Sequence, residues 1–296
     1  MSRLKADLIL FLVAAIWGAA FLFQKQGVLA IGALSFVALR FFISGVLVLP
    51  LAVREFKTLP KIPRSIKWEL VFLCAVFVFG VIMQHLGLIS TSVTNAGFLT
   101  GLYVLFVALI CRFIYKQTVS KLLFPAAFIS VVGIGMLSGG GDLTQMNWGD
   151  VMVILCAVAF GFQVALIGRI MKAVQAPYCV SFLQYAVTVF IAGVLAFVWE
   201  KPHLADVWEM RWAILYAGAL SGGVAYTLQV VAQQFTPASD SAVIMSLESV
   251  FAAIIGVWVN GDAFTPKIAA GCGLILVAIA LVEFGPRSQT ETEKIF

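Results

Sequence analysis

Charge and histidine are scarce in this chain. Asp, Glu, Lys and Arg make up 11% of its 296 residues, and there are two histidines. A soluble domain carries about 25% charged residues, so the chain lies outside that class. The longest hydrophilic stretch, residues 54–67, has fourteen residues, too few for a soluble domain of its own. Low-complexity sequence is confined to a short polar tail after Pro286. None of the five cysteines (Cys74, Cys111, Cys156, Cys179, Cys272) belongs to a CxxC pair. With so little histidine they cannot complete a zinc set, and they read as small packing residues. No cofactor and no metal is expected. A GxxxxGK[ST] loop is missing as well, so ATP drive is not encoded.

What the chain has instead is apolar length. Hydrophobic residues make up 62% of it. About 20 apolar residues cross a bilayer as a helix. Ten such runs fill the chain, at residues 7–28, 33–53, 68–88, 93–115, 121–140, 148–170, 177–199, 212–234, 238–259 and 266–285. The expected fold class is an all-α membrane protein with ten transmembrane helices. The first run is too long for the apolar region of a signal peptide and has a counterpart in mid-chain, so it is expected to be retained.

Runs six to ten echo runs one to five. Trp17-Gly18 is answered by Phe160-Gly161, and Leu39-Arg40-Phe41 by Leu183-Gln184-Tyr185. Residues 95–109 align with 241–255, pairing Thr100 with Ser246 and Val104 with Val250. The offset stays near 145 residues. The domains expected are therefore two copies of one five-helix unit, residues 1–145 and 146–296, the second ending in a short cytoplasmic tail. Five is odd, so the second copy must enter the bilayer from the opposite side. Inverted repeats place a binding site near the midplane and give two related conformations, which is transporter architecture.

The net charge of +5 resolves once the charges are located. Alternating loops put fourteen basic residues on one side, among them Arg3, Lys61, Arg112, Lys172, Arg287 and Lys294. Three, Lys201, Arg211 and Lys267, fall on the other, with the acidic Asp142, Asp150, Glu200, Asp206, Glu209 and Asp262. By the positive-inside rule both termini are cytoplasmic. The basic balance is topological, and no nucleic-acid partner is expected.

Four stretches carry a family resemblance: AAIWGAAFLFQK (14–25), LRFFISG (39–45), TNAGFLTGLYVLFVALI (94–110) and DSAVIMSLESVFAAIIGVWVNGD (240–262). They resemble the EamA-type branch of the drug/metabolite transporter superfamily, over essentially the whole chain. The resemblance implies ten helices in two inverted repeats around a central cavity, and movement of small organic metabolites or drugs, commonly outward. It also implies a glutamate at Glu248. The chain departs from the family pattern at three points. Phe106-Val107-Ala108 stands where the fourth span often has proline, and Glu248-Ser249 where the ninth often has Glu-Pro. Gln117 replaces a frequent acidic residue, whose counterpart in the second half is near Asp262. A hinge that depends on those prolines is not expected here.

Polar groups at membrane depth are costly and face an interior or a cavity. Glu248 lies in the ninth run among Met245, Leu247 and Val250. It reads either as a carboxyl that takes up and releases a proton during transport or as a protonated group bonded to a neighbouring helix. His85, beside Gln84 in the third run, reads as a substrate contact or proton relay, or as a bond closing the bundle end. Trp17 lies in mid-membrane, whereas Trp68, Trp148, Trp199, Trp208, Trp212 and Trp258 lie near run ends as interfacial anchors do. Trp17 forms a cavity wall or packs between helices, and Phe160 is its repeat counterpart. Lys25 is expected to snorkel. Arg40 either binds an anionic group of the substrate or pairs structurally; Gln184 is its counterpart. Asn95, Thr100, Tyr103, Gln163, Tyr185, Tyr226, Gln229 and Ser246 complete a neutral polar and aromatic set. Such a lining suits an uncharged or zwitterionic organic molecule better than a metal ion, which wants clustered carboxylates. The glycine pairs 97/101 and 218/222 allow close helix approach, and Gly222-Gly223 also permits a bend.

The function expected is secondary transport of a small organic metabolite or drug-like compound by alternating access, with export the expected direction. The setting is the cell inner membrane. Partners are a small-molecule substrate, the lipid bilayer and, as a candidate coupling ion, the proton; the chain is a monomer or weak homodimer. A facilitative uniporter or exchanger is the alternative within the superfamily. A channel would show an open polar stripe. An intramembrane enzyme would need a nucleophile or metal set at shared depth, and two histidines, one of them the loop residue His203, leave little to build it from.

Overall fold

The computed structural model describes residues 1–59, 61–117, 119–137, 146–260 and 265–284, without the side chains of residues 94, 256–260 and 283. Asp142, Asp262, Arg287, Lys294 and the side chain of Trp258 lie outside the described residues. Among the described residues every regular element is helical. In a hydrocarbon setting a backbone must satisfy its own amides, and a helix does so within one segment.

The helices are α1 (Arg3–Ile31), α2 (Ala33–Phe56), α3 (Arg64–Ser90), α4 (Val93–Gly101), α5 (Tyr103–Leu109), α6 (Leu123–Leu137), α7 (Trp148–Val174), α8 (Pro177–Trp199), α9 (Leu204–Glu209), α10 (Arg211–Leu215), α11 (Thr227–Ala232), α12 (Ala238–Met245), α13 (Leu247–Asn260) and α14 (Pro266–Phe284). A π-helical turn, Ile110–Ile114, continues α5, and a π-helical stretch, Tyr216–Tyr226, joins α10 to α11. Among the described residues, eight helical segments are long and apolar enough to cross a membrane. Two shorter apolar helices, Leu123–Leu137 and Pro266–Val282, stand where the fifth and tenth runs were expected.

Three pairings organise the bundle: α2 lies along α8, α3 along α7, and α6 along α14. The α2–α8 pair is tied at both ends by glutamates. Glu55, near the end of α2, accepts the backbone N–H of Cys179 in the first turn of α8 at 2.6 Å. Glu200, just past α8, accepts the N–H groups of Leu34 and Ser35 in the first turn of α2 at 3.0 and 2.7 Å. Each carboxylate meets the orphan amides and positive dipole end of the other helix. Gly32 makes the second contact possible. Its φ of +88° is open to glycine, and a Cβ there would strike the Glu200 carboxylate.

The α3–α7 pair is also held at its ends. Arg169 donates to Glu69 at 2.7 Å. At the other end Asn147 and Asp150 form a capping box for α7, and the Thr91 hydroxyl donates to Asp150. Lys25, expected to snorkel, caps α3, donating to the carbonyls of Leu88, Ile89 and Thr91.

Two membrane segments break without proline. At Leu102 the amide bonds to the third residue back, Leu99, and at Ser246 the amide is shared between Ala242 and Val243. The Ser246 hydroxyl adds a bond of 2.6 Å to the Val243 carbonyl, competing for the acceptor that would continue the helix. Neither break therefore rests on a proline. Of the two glycine pairs, 218/222 lies against α2. A Cβ on Gly218 would come within 2.8 Å of the Arg40 carbonyl, and one on Gly222 would strike the Ser44 hydroxyl. The 97/101 pair divides: Gly101 faces Ile134, and Gly97 faces open space.

Candidate functional site

A cavity with about 450 Å³ of empty space, its open mouth included, lies in the centre of the bundle. Helix α1 presents Trp17, Phe21 and Gln24 to it, spaced as one face of a helix. Gln84 of α3, Thr100 of α4 and Tyr103 of α5 line it from the first half. From the second half come Phe160, Gln163 and Val164 of α7, Ser221 and Tyr226 of the π stretch, Gln229 of α11, Met245 of α12 and Glu248 of α13. Both halves of the chain thus build one site.

The walls are aromatic. The Trp17 ring stands 4.7 Å from that of Tyr226 at 55°, and its indole N–H donates to the Ser221 carbonyl at 3.1 Å. Ser221 sits where backbone bonding is least regular, inside an eleven-residue π stretch. Phe160 closes part of the opposite side, its ring pressed close to Gly80. The polar lining forms two amide groups. Gln84 donates to the Thr100 hydroxyl at 3.4 Å. Gln229 donates to the side-chain oxygens of Gln163 and Gln233 at 3.3 and 3.2 Å, and Gln233 donates to the Val164 carbonyl at 3.0 Å.

Four lining residues keep a buried polar atom without a hydrogen-bond partner among the described residues: Gln24 Oε1, the Tyr103 hydroxyl, Gln229 Oε1 and Glu248 Oε1. An unsatisfied buried polar group costs about 1–3 kcal/mol, so these atoms favour an occupant that can bond to them. Glu248, 5% exposed, is the carboxyl of the lining.

Of the expected site residues, Trp17, Gln84, Thr100, Tyr103, Phe160, Gln163, Tyr226, Gln229 and Glu248 come together at this cavity. Arg40, His85, Asn95, Tyr185 and Ser246 do not line it. Arg40 is fully buried one layer behind the wall. Its guanidinium donates to His85 Nε2 and to the Ser221 hydroxyl, both at 3.1 Å, and lies 4.9 Å from the Phe41 ring centre. His85 Nδ1 stands 2.8 Å from the Val81 carbonyl, which assigns the proton to Nδ1 and leaves Nε2 to accept from Arg40. Both ring nitrogens are thereby occupied. Tyr185 bonds to the Gly222 carbonyl and the Thr227 hydroxyl at 3.1 and 3.0 Å. Ser246 is committed to its own helix break, and Asn95 sits in the first turn of α4, its N–H bonded to the Ser92 cap.

Phe21, Gln24, Val164, Ser221 and Met245 were not anticipated. Helical spacing from Trp17 would have pointed to Phe21 and Gln24, and spacing from Phe160 to Val164. Nothing in the sequence singles out Ser221, because serine in a membrane helix is ordinarily interhelical glue.

A model of the EamA-like transporter family matches residues 4–139 and again residues 147–284. An uncharacterized transporter of Archaeoglobus fulgidus is 33% identical over 284 residues, covering 95% of this chain and 87% of that relative. The uncharacterized inner membrane transporter YedA of Escherichia coli (strain K12) is 23% identical over 284 residues, covering 93% and 90%. A protein crystal structure superimposes with a TM-score of 0.80 over 96% of this chain and 98% of the other, at 17% identity, a likeness of fold alone.

Proposed function

The chain belongs to the EamA-like transporter family, and from that membership we propose that it is a secondary transporter moving a small organic metabolite or drug-like compound by alternating access, in the direction of export. It is a multi-pass membrane protein. The observation that carries the reading is the central cavity, walled by aromatics from both halves and holding four unpartnered polar atoms. That combination suits an amphiphilic organic molecule: rings stack on Trp17 and Tyr226, while polar groups bond to Gln24, Tyr103, Gln229 and Glu248.

Ten transmembrane helices in two inverted repeats are part of the proposal, and several reciprocal contacts support it. The Glu55–Cys179 and Glu200–Leu34/Ser35 caps exchange roles between the halves. A Cβ on Gly18 would press on Phe251, and one on Gly161 would press on Phe106. The helix breaks at Leu102 and Ser246 also fall close together in the alignment, Ser246 being paired with Thr100, two residues before Leu102. A twofold relation between the units accounts for all three. Rocking one unit against the other would expose the cavity alternately on each side. The relative YedA is named an inner membrane transporter, and the bias of basic loops adds cytoplasmic termini to the same setting. Glu248 is the group for proton coupling, and the protein works as a monomer or weak homodimer.

The test begins with a thermal-shift screen of purified protein against a metabolite library, since a ligand of the folded state raises its apparent stability. The hit is then carried into proteoliposomes. Saturable counterflow of the hit is the expected result. Flux that never saturates would indicate a channel and overturn the proposal. Counterflow that a pH gradient cannot drive would leave a facilitative uniporter or exchanger in place of the coupled carrier.

A further inference from the structure

A second, larger hollow lies away from the central cavity, with about 1020 Å³ of empty space, its open side included. It sits between the last two turns of α2, the loop that follows and the first two turns of α8, with Leu70 of α3, Val174 at the end of α7 and Ala176 completing the wall. Its walls are apolar: Leu49, Val53, Leu59, Ile62, Phe182 and Leu183 are representative, and Lys57 is the charged residue among them. The hollow therefore has two chemical ends. Its length along α2 and α8 is hydrocarbon-like, and its loop end carries an ammonium group.

The charge around that end has one sign. Arg54, Lys61, Arg64 and Lys67 are exposed on the same segment. The one carboxylate within the loop and its flanks up to Lys67, Glu55, is engaged at the α8 N-terminus by the Cys179 N–H. The next, Glu69, is paired with Arg169. Lys57 has no ion-pair partner among the described residues. Trp68, 65% exposed, stands at the start of α3 as an interfacial aromatic does. An apolar slot opening into a cluster of unpaired cations at an interfacial aromatic fits a ligand with long apolar chains and an anionic head.

We propose that this hollow binds an anionic glycerophospholipid, one acyl chain lying between α2 and α8 and the phosphate meeting Lys57. Charge complementarity selects this occupant. A second copy of the chain would bring an equally basic loop to the same place, and a zwitterionic lipid would forgo the attraction. Basic residues near a membrane surface favour anionic lipid by about fivefold each.

Purified full-length protein in neutral detergent is titrated with dioleoyl-phosphatidylglycerol or dioleoyl-phosphatidylcholine. Retained lipid is read by native mass spectrometry and the apparent melting temperature is measured alongside. Wild type is expected to retain phosphatidylglycerol about fivefold more strongly and to melt higher with it. Lys57→Gln should lower that preference, with the exposed Arg54, Lys61, Arg64 and Lys67 retaining part of it. Val53→Trp, at a half-exposed position on the wall, should fill the slot and lower retention of both. Equal retention of the two lipids by wild type would overturn the proposal whatever the variants do. So would full phosphatidylglycerol retention in a folded Val53→Trp protein. Cross-linking of two copies through cysteines placed at Val53, undiminished by added phosphatidylglycerol, would assign the hollow to a copy-to-copy interface instead.

Discussion

Trp17 and Phe160 face the cavity from helices of opposite halves, and they are bonded differently. Trp17 is tied by its N–H to the Ser221 carbonyl and by its ring to Tyr226, whereas Phe160 is held by packing alone. Truncating Trp17 to alanine removes more area and also the N–H bond to the Ser221 carbonyl, so it should weaken ligand binding more than Phe160→Ala. Burial of apolar area makes a loss of order 1–3 kcal/mol the expected scale. If the two rings only pack, both variants melt lower but bind the screened ligand unchanged. Affinity and melting temperature measured on the same preparations separate these outcomes. Glu248 calls for a different comparison. Glu248→Gln keeps the size and one acceptor of the acid, so the protein should fold and insert. If the carboxyl carries the coupled proton, flux driven by a pH gradient falls sharply while substrate exchange continues. Unaltered gradient-driven flux in liposomes would remove Glu248 from that role.

At the scale of elements, α2 and α8 are the parts whose junctions are most defined. Each helix start is capped by a carboxylate carried past the end of the other. Glu200→Ala leaves two first-turn amides of α2 without an acceptor, and a loss of roughly 1–3 kcal/mol is expected. Glu200→Gln retains one acceptor oxygen and should lose less. Gly32→Ala should be destabilising by a separate route, because its φ of +88° disfavours a side chain and the Cβ would displace the same carboxylate. Melting curves of the three variants in one detergent check the ordering. If the helix starts are satisfied by water instead, Glu200→Ala will match wild type.

For the whole molecule, the claim most open to a direct measurement is orientation. Basic residues cluster in the 54–67 loop and acidic ones near 200–211. The loop at Lys61 is therefore expected in the cytoplasm and the segment at Asp206 outside. A single cysteine at Asp206 should react with an impermeant reagent in intact cells, and one at Lys61 should not. Labelling at Lys61 would reverse the orientation and with it the meaning of export. If Lys61 is cytoplasmic as expected, the proposed phospholipid hollow beside the same loop faces the cytoplasmic leaflet, where the bilayer surface is negatively charged.

Hydropathy and length alone determined that this chain is a bundle of membrane helices, because a backbone in hydrocarbon has few other ways to satisfy itself. Self-similarity indicated where Trp17, Phe160 and Glu248 stand along their helices. It could not say which way a side chain turns. A helix such as α3 is apolar on every side, so no amphipathic stripe marks the face that meets its neighbours. For that reason His85 and Arg40 read as candidates for substrate contact, and only the packed bundle turned them toward each other behind the cavity wall. The same holds for Tyr185, turned to Gly222 and Thr227, and for Ser246, spent on its own helix. Gln24 and Ser221 entered the site through close approach of α1 to the π stretch. That approach depends on contacts between residues some 200 positions apart, such as Trp17 with Ser221, which no local pattern encodes.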